Sequence, residues 1–597
     1  MFLPVTRKEM KKLGWEQPDF VLITGDAYVD HPSFGTAIIS RLLEARGYKV
    51  AILSQPNWKN SEDFKRFGRP RLGFLINSGN VDSMVNNFSV FKNRRKRDVY
   101  SPGGKAGRRP DRAVIVYSNR AREAYKDVPI IIGGLEASLR RLAHYDYWDD
   151  KIRRSIMLDS KADILIYGMG EKAVVEIAEA LESGIDAKDI SWIRGTCVKA
   201  KPMELGGSLY IDEGEDVVLP DFAAVVSSKK AYCESFAKQY RSNNPIRGKR
   251  LIEKYDNNTY IVQNPPQDPL SEQELDDIYE YNYERTWHPS YDGEGGVPAI
   301  KEVQFSITSN RGCFGGCAFC AITYHQGREV RSRSKDSIIR EAKLLVNEPD
   351  FKGYIHDVGG PTANFTKPSC KQQLNNGMCE RKDCLFPKPC RSLNADHRDY
   401  LELLEDLRNI DGVKKVFIRS GIRYDYVMAD KKYGMEFLKT LCEHHVSGIL
   451  KVAPEHVSPA VLHNMHKPGV EVFDRFCEGY RRANKALGKK QFMVPYFISS
   501  HPGSTLEDAI ELALYLHDTG FVPDQVQDFY PTPGTLATCM YYTEMNPLTM
   551  EPVYVAKTMR EKRMQRALMH YNKKENRKLV VDALIEAERR DLINVLR

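Results

Sequence analysis

Apolar runs alternate with amphipathic stretches along the first 200 residues. Strand-like runs occur at 20–25, 49–55, 72–79, 113–118, 128–134 and 162–170, and a helix-like segment at 34–47 separates the first two. Strands joined through helices favour an open, mostly parallel sheet. Two runs end in glycines, Gly133-Gly134 and Gly168-Met169-Gly170. These lie where ligands bind in such sheets, although a tight turn requires glycine with or without a ligand.

A second alternating series begins near residue 300. Six strand-like runs lie at 303–309, 353–360, 413–422, 448–454, 492–500 and 525–534. Helical patterns separate them at 334–347, 400–410, 434–445, 472–487 and 504–520. Six consecutive strand–helix units predict a parallel partial (β/α)6 barrel, whose chemistry belongs at the carboxyl ends of its strands.

These patterns predict an α/β protein with four regions. An α/β domain spans 1–225, and a connector rich in Tyr, Asn and Pro spans 226–300. A partial barrel spans 301–545 and carries a Cys-rich insertion at 363–395. The helix-prone, charged stretch 546–597 is expected to form a helical C-terminal appendage.

Composition and charge narrow the classes of protein. With 597 residues, 42% hydrophobic and 28% charged, the chain is neither disordered nor fibrous. A net charge of +8 is too modest for a dedicated nucleic-acid binder. The basic stretch 91–112 is expected to be exposed and mobile, either as a solvated loop or as an arm that contacts RNA phosphate or another polyanion.

The apolar segments of the sequence bear on the cellular compartment of the protein. We expect no membrane span, because no window approaches the ~18 consecutive apolar residues that a span requires. The start of the sequence has no signal-peptide core, so the protein is expected to be cytoplasmic. Cysteines in a reducing compartment rarely form structural disulfides, and clustered ones are better explained as metal ligands or redox groups.

Seven of the twelve cysteines lie between 313 and 390. Cys313, Cys317 and Cys320 form a C-x3-C-x2-C loop after the first predicted barrel strand. Three thiolates can hold three corners of a cubane iron–sulfur cluster, since Gly315 and Gly316 let the backbone fold around it. Three ligands leave one iron open to a substrate or cofactor, whereas zinc prefers C-x2-C pairs and a fourth protein ligand. The remaining cysteines are interpreted as buried small hydrophobes: Cys197, Cys233, Cys442, Cys477 and Cys539.

A second set of cysteines falls in the insertion. Cys370, Cys379, Cys384 and Cys390 have the spacing C-x8-C-x4-C-x5-C in sequence with few apolar residues. Such a segment could be held together by a metal, either an auxiliary iron–sulfur cluster or structural zinc. The absence of metal is the third alternative. His397 nearby could replace a ligand but is expected to be a surface residue.

The three-cysteine loop, with its aromatic residue before the last cysteine, resembles that of radical S-adenosylmethionine (SAM) enzymes. More closely, the segments LSQPNW, IIIGGLEASLRR, ADILIYGMGEKA, SITSNRGCFGGCAFCAI and VGGPTAN are similar to the YgiQ family of radical SAM proteins. The resemblance implies that the three cysteines bind a 4Fe-4S cluster, that its open iron chelates SAM, and that Phe319 lies beside the adenine.

Further cofactor contacts are implied by the same resemblance. The backbone of Gly359-Gly360 would receive the amino group of SAM, but Pro361 stands where the superfamily usually has an acid, so Thr362 and nearby carbonyls become candidates. Arg419, and either Lys451 or Glu455, would lie near the carboxylate and ribose. Each of these charges could equally serve a structural ion pair.

The implied function is reductive cleavage of SAM to a 5′-deoxyadenosyl radical, which abstracts hydrogen from an unknown substrate, with a low-potential electron donor as partner. One alternative is methyl or thiomethyl transfer to RNA or protein. Another is a non-catalytic iron–sulfur sensor or RNA-binding module.

The amino-terminal sheet resembles the cobalamin-binding domain that precedes many radical SAM barrels. Asp30-His31-Pro32-Ser33-Phe34-Gly35 departs from the D-x-H-x-x-G spacing of that domain. A corrinoid with histidine on cobalt is therefore not favoured. The domain could instead bind substrate, hold a corrinoid without a protein ligand, or support the barrel.

Overall fold

A computed structural model describes residues 1–212, 214–380, 382–521, 523 and 526–596. The chain forms two compact units. The first comprises Met1–Gln304 together with Tyr324–Gly327, and the second comprises Phe305–Thr323 and the chain from Arg328 onward.

A nine-stranded sheet organises the first unit, in the order β10-β11-β12-β9-β8-β5-β4-β1-β3. The neighbouring strands β3, β1, β4, β5 and β8 run parallel, as the sequence predicts, and β9 and β12 add antiparallel pairs. Residues expected to form a connector supply β11 and β12 to this sheet. The strands of the unit are β1 Phe20–Thr24, β2 Val29–Asp30, β3 Val50–Ser54, β4 Gly73–Asn77, β5 Ile130–Ile132, β6 His144–Asp146, β7 Lys151–Arg153, β8 Ile164–Ile166, β9 Thr196–Ala200, β10 Asp216–Val218, β11 Arg250–Lys254, β12 Tyr260–Gln263 and β13 Thr286–Trp287.

Helices cover both faces of this sheet, because strands such as β1 are buried along their whole length. The helices are α1 Arg7–Lys12, α2 Gly35–Ala45, α3 Ser83–Asn87, α4 Ala113–Ala124, α5 Gly134–Leu139, α6 Ile156–Ser160, α7 Glu171–Glu182, α8 Phe222–Ser227, α9 Lys229–Ser242, α10 Glu272–Tyr279 and α11 Ile300–Val303.

The strand predicted at 113–118 is wrong, since these residues begin helix α4. Val114, Tyr117 and Ala121 are buried, and their spacing of three and four residues lies on one helical face. The run AVIVYS is short enough that its apolar character fits either element.

Seven parallel strand segments of the second unit follow the predicted order of the six barrel strands, and the second predicted strand is divided into β17 and β18. β14 pairs with β18 and β17 with β19, which links the first three predicted strands, and β20, β21 and β22 form a three-stranded sheet. The strands are β14 Ser306–Thr308, β15 Asn310–Arg311, β16 Arg331–Ser332, β17 Tyr354–Ile355, β18 Asp357–Gly359, β19 Lys415–Val416, β20 Ile449–Glu455, β21 Phe492–Ser499 and β22 Gln527–Asp528.

Amphipathic helices follow these strands and bury their apolar faces in one large core. In the tail, α22 and α23 pack on α20 through residues such as Ile510, Leu568 and Leu584. The helices are α12 Ala321–His325, α13 Lys335–Val346, α14 Lys371–Asn376, α15 Arg398–Arg408, α16 Tyr424–Ala429, α17 Gly434–Thr440, α18 Pro459–Met465, α19 Val470–Ala486, α20 Leu506–Thr519, α21 Leu536–Thr543, α22 Met559–Met569 and α23 Arg577–Glu586. Within the described ranges, no helix is both long and apolar enough to cross a membrane.

Candidate functional site

The three-cysteine loop connects β15 to α12 at the carboxyl end of the first barrel strand. Its last turn is closed by the N–H of Cys320, which donates to the carbonyl of Cys317 over 3.1 Å. The loop backbone is tightly enclosed. A Cβ added to Gly315 would lie 2.1 Å from Nη1 of Arg423, and one added to Gly316 would lie 3.1 Å from Oδ1 of Asp383. A side chain at Gly315 would therefore displace the Arg423 guanidinium, and the φ of 65° at Gly316 favours glycine.

Burial opposes ionisation of two thiols of the loop, those of Cys317 and Cys320. It raises the pKa of Cys317, and it raises the pKa of Cys320 to about 12. The N–H groups of Ile322 and Thr323, at the start of α12, partly oppose the rise for Cys320. Without a metal these thiols are protonated at neutral pH, so metal binding at the loop would release protons.

Arg423 contacts this loop, and the sequence analysis missed it. The residue lies just beyond the third barrel strand, is buried, and directs Nη1 to Sγ of Cys317 at 3.5 Å. Its Nε and Nη2 donate to the two carboxylate oxygens of Asp425 over 2.9 and 2.6 Å. Asp425 thereby fixes the guanidinium while one of its N–H groups faces the cysteine. The local Arg-x-Asp sequence was the signal that could have revealed the pair.

Glu455 lies at the end of the fourth barrel strand, in a positively charged environment. The residue is 8% exposed, and its φ of 74° is unusual for a side chain of this type. Burial raises the pKa of Glu455, and the positive charges of Lys467 and Arg423 oppose the rise. Lys467 is itself buried, whereas Lys451, the other candidate on this strand, is exposed.

Phe319 packs in an aromatic cluster beside the loop. Its ring meets the ring of His501 edge-on at 5.9 Å between centroids, and His501 meets Phe529 at 5.1 Å. His501 belongs to the turn after the fifth strand, and burial lowers its pKa to about 3. The histidine is therefore neutral at physiological pH, and the cluster presents a largely uncharged surface.

The turn after the second strand lies against the cysteine loop. The carbonyl of Gly359 accepts from the N–H of Ser309 at 2.7 Å, and a Cβ on Gly360 would lie 2.2 Å from the carbonyl oxygen of Asn310. Thr362 brings its hydroxyl to 3.4 Å from Sγ of Cys313. The two glycines thus allow this turn to approach the loop closely, and Thr362 is the polar side chain that reaches it.

Arg419 is placed differently from the other candidates. Its side chain is exposed, and its guanidinium lies 5.9 Å from the ring of Phe417. Its N–H donates to Oδ1 of Asp357, which also accepts from Ser420. The structure therefore shows no contact between the described Arg419 side chain and the cysteine loop.

The donor set of the loop fits an iron–sulfur cluster. Three thiols arise within eight residues, and tight glycines and the buried cation of Arg423 surround them. Thiolates are the usual ligands of such clusters, and N–H groups near the sulfurs stabilise their negative charge. Cys313, Cys317 and Cys320 would hold the cluster, and Arg423 would compensate part of its charge.

The four cysteines of the insertion lie around one cavity of about 110 Å³. Phe314 of the first loop and Arg328 also line this cavity. His397, expected at the surface, is instead buried. Its Nδ1 lies 2.8 Å from Asp430 and its Nε2 lies 3.0 Å from Nδ2 of Asn364, so both ring nitrogens already have protein partners.

The basic stretch 91–112 is exposed at Lys92 and from Arg94 to Arg97, as predicted, but it is buried around Arg109, where that prediction is wrong. Arg109 is fully buried between Asp26 and Asp98, at 2.7 and 3.2 Å. Further cations of the stretch pair with Asp111, Glu294, Asp146 and Asp149: Arg94, Lys105, Arg108 and Arg112. These carboxylates neutralise part of the positive charge of the stretch.

Both glycine pairs of the amino-terminal sheet line a mostly apolar cavity of about 150 Å³ at the carboxyl ends of β4, β5 and β8. His325 closes one side, with Nδ1 3.0 Å from Oγ of Ser138, and burial lowers its pKa to about 4. Asp30, from the sequence compared with the cobalamin pattern, forms a buried ion pair with Arg41.

Family models match nearly the whole chain. The model described as Radical SAM N-terminal matches residues 2–306, and that of the Radical SAM superfamily matches residues 307–516. A domain of unknown function, DUF3362, matches residues 524–595. A UPF0313 protein of Clostridium botulinum (strain ATCC 19397 / Type A) is 57% identical over 594 residues, covering 99% of this chain and 90% of that protein. One of Clostridium perfringens (strain SM101 / Type A) is 57% identical over 592 residues, covering 99% and 88%.

Solved structures are similar at low identity. The radical SAM methyltransferase TsrM from Kitasatospora setae, with cobalamin and a [4Fe-4S] cluster bound, has a TM-score of 0.48 and 13% identity, and the match covers 87% of this chain and 77% of that one. The cobalamin-dependent SAM radical enzyme OxsB, with aqua-cobalamin bound, has a TM-score of 0.46 and 12% identity, covering 94% and 62%.

Proposed function

Since the chain belongs to the UPF0313 family and carries the radical SAM domain, we propose that it reductively cleaves SAM and uses the product radical to abstract hydrogen from a substrate. The observation that supports this most strongly is the enclosed three-thiol loop at the carboxyl end of the first barrel strand. A 4Fe-4S cluster bound there would supply the electron that converts SAM to methionine and a 5′-deoxyadenosyl radical.

The chain's own residues hold and shield this centre. Cys313, Cys317 and Cys320 are the metal ligands, and Arg423, fixed by Asp425, donates towards Cys317. A buried donor towards a cysteine sulfur stabilises the more negative, reduced form of a cluster. Reductive cleavage of the sulfonium still requires an electron, and we propose a low-potential electron donor as the physiological reductant.

SAM binding is assigned to the elements around the loop. Phe319 offers an aromatic face for the adenine, next to the neutral ring of His501. The turn at Gly359-Gly360 and the hydroxyl of Thr362 approach the loop and can accept from the amino group of SAM. Lys467 and Arg423 provide positive charge for its carboxylate, and Glu455 can accept from the ribose hydroxyls.

The test is cofactor cleavage by the full chain after anaerobic reconstitution with iron and sulfide. With SAM and a chemical reductant, we expect equal amounts of 5′-deoxyadenosine and methionine, measured by mass spectrometry. Cys317→Ala should form neither product. Cys442→Ser, which alters a buried cysteine far along the chain from both sets, should retain cleavage.

Two results would overturn the proposal. Cleavage by Cys317→Ala at the rate of the unaltered protein would show that the loop is not the reaction centre. Formation of the loop cluster without any 5′-deoxyadenosine would instead favour a non-catalytic iron–sulfur sensor.

A further inference from the structure

The insertion after the second barrel strand brings its four cysteines to one place. Cys370, Cys379, Cys384 and Cys390 span 21 residues, yet all four line the same cavity. Cys379 is exposed and the other three are half-buried. All twelve cysteines of the chain lie in the described residues and are free thiols, so these four are available as ligands.

Hydrogen bonds within the insertion place these cysteines. The N–H of Cys390 donates to the carbonyl of Cys384 over 2.9 Å, which brings the last two cysteines together. Ser369, next to Cys370, donates through its N–H and its hydroxyl to Oε1 of Gln373, both at 2.9 Å. Gln373 in turn donates to the carbonyl of Arg328 over 2.8 Å, which ties the start of the insertion to the body of the unit.

An ion pair holds the other side of the cavity. Asp383, which precedes Cys384, contacts Arg328 and also lies 2.8 Å from Nδ1 of His466. Few large apolar side chains support the segment, and Leu385 is the fully buried one between Cys384 and Cys390. Polar contacts thus fix the edges of the insertion, while its centre is lined by thiols.

The arrangement of the thiols distinguishes a cluster from a single metal ion. Zinc requires four ligands about 2.3 Å from one point, commonly from C-x2–4-C pairs. Cys379 and Cys384 have such a spacing, but Cys370 and Cys390 complete no second pair, and among the described residues no three Cys, His, Asp or Glu side chains converge in the way a single ion requires. The thiols instead surround a space of about 110 Å³. A cubane takes its four thiolates at separate corners of a larger body.

We propose that Cys370, Cys379, Cys384 and Cys390 bind a second 4Fe-4S cluster, in which every iron has a protein thiolate. This cluster differs from that of the three-cysteine loop because it has no open iron for SAM. It lies beside the first loop, since Phe314 lines the cavity and Cys313 and Cys384 pack against the same apolar group of side chains.

The test is elemental analysis of the full chain after anaerobic reconstitution. The unaltered protein should contain about eight iron and eight sulfide per chain, half at each site. A variant of the first loop, Cys313→Ala/Cys317→Ala/Cys320→Ala, should keep about four of each. Its EPR spectrum after reduction should not change on addition of SAM, because no iron is open.

The reciprocal variant alters the four cysteines of the insertion to Ala. It should contain about four iron per chain and keep an EPR spectrum that responds to SAM. Because this variant could fail to fold, Cys379→Ser provides a milder test, since the side chain is exposed. Loss of one thiolate should make one iron labile and give a three-iron EPR signal on oxidation.

Three results would overturn the proposal. The first is a first-loop variant that contains no iron. The second is about one zinc per chain in place of the four iron expected in the insertion. The third is an iron content and an EPR spectrum that stay unchanged in both insertion variants. None of these results affects cleavage of SAM by the unaltered protein, so failure of the second cluster is distinguishable from failure of the proposed function.

Discussion

The two groups of cysteines are held by different means. The first loop takes three thiols from eight residues and is enclosed by Gly315, Gly316 and the buried Arg423–Asp425 pair. The insertion takes four thiols from 21 residues, leaves Cys379 exposed and has few apolar contacts. The fold itself therefore encloses the first loop, whereas we expect the insertion to depend on its proposed cluster for order.

Metal removal should affect the insertion most strongly. After chelation, trypsin should cleave after Lys371 and Lys382 at least about tenfold faster, because loss of the cluster lets the segment open. Peptide mapping by mass spectrometry measures these rates. The variant lacking all four insertion cysteines is the control and should be cleaved equally with and without chelator. Equal rates for treated and untreated unaltered protein would show that the insertion does not depend on a metal.

Arg423→Met should lower the free energy of unfolding by about 3–5 kcal/mol, because it leaves the buried carboxylate of Asp425 without its cation. Arg419→Met is the matched control: its side chain is exposed, and its effect should stay within about 0.5 kcal/mol. Denaturant unfolding measures both. Similar losses of stability in the two variants would contradict the assignment of Arg423 as the buried partner of Asp425. A raised KM for SAM in Arg419→Met, with stability unchanged, would instead return this residue to the cofactor site.

Gly315→Ala should lower the free energy of unfolding by about 1–3 kcal/mol, because the new methyl group would lie 2.1 Å from Nη1 of Arg423. Gly421→Ala provides the comparison, since a Cβ there meets no atom within 4 Å. Thermal unfolding and the iron content of the first loop report the difference. Iron in the insertion should not change. Equal stability of the two variants would show that the loop is not tightly enclosed.

Acid should destabilise the folded chain in part through His501, which packs beside the first loop. Its folded-state pKa of about 3 lies below the ordinary 6.5, so the unfolded chain binds the extra proton. The contribution of the neutral histidine to the free energy of unfolding is therefore fully present above about pH 6.5. It decreases as the pH falls towards 3, by at most about 1.4 kcal/mol per pH unit. Denaturant unfolding between pH 7 and 5 measures the slope, which should be shallower in His501→Gln. If the slope is the same in His501→Gln as in the unaltered protein, another group takes up the proton on unfolding.

Much of the fold was predictable from the sequence because the strands are buried and apolar. The runs at 20–25 and 448–454 coincide with β1 and β20. The run at 113–118 was not predictable, since six apolar-rich residues satisfy both helical and extended periodicity. The three cysteines were identifiable by spacing, which is a local property. Arg423 was missed because its contact with Cys317 joins residues 106 positions apart.

The basic stretch illustrates the limit of charge counting. Arg109 carries the same charge in the sequence as any exposed arginine, but Asp26 and Asp98 enclose it in the fold. Only the tertiary structure brings Asp26 to it. Net charge and local charge density predict a surface property only where the charges stay at the surface.

The short segment Tyr324–Gly327 belongs to the first unit, although both of its flanks belong to the second. Tyr324 places its ring 4.0 Å from the guanidinium of Arg141. A single cut between residues 304 and 305 would therefore remove this ring from the amino-terminal half and leave it without its cation in the other. Splitting the gene at that boundary should therefore yield an amino-terminal half that lacks part of its own packing.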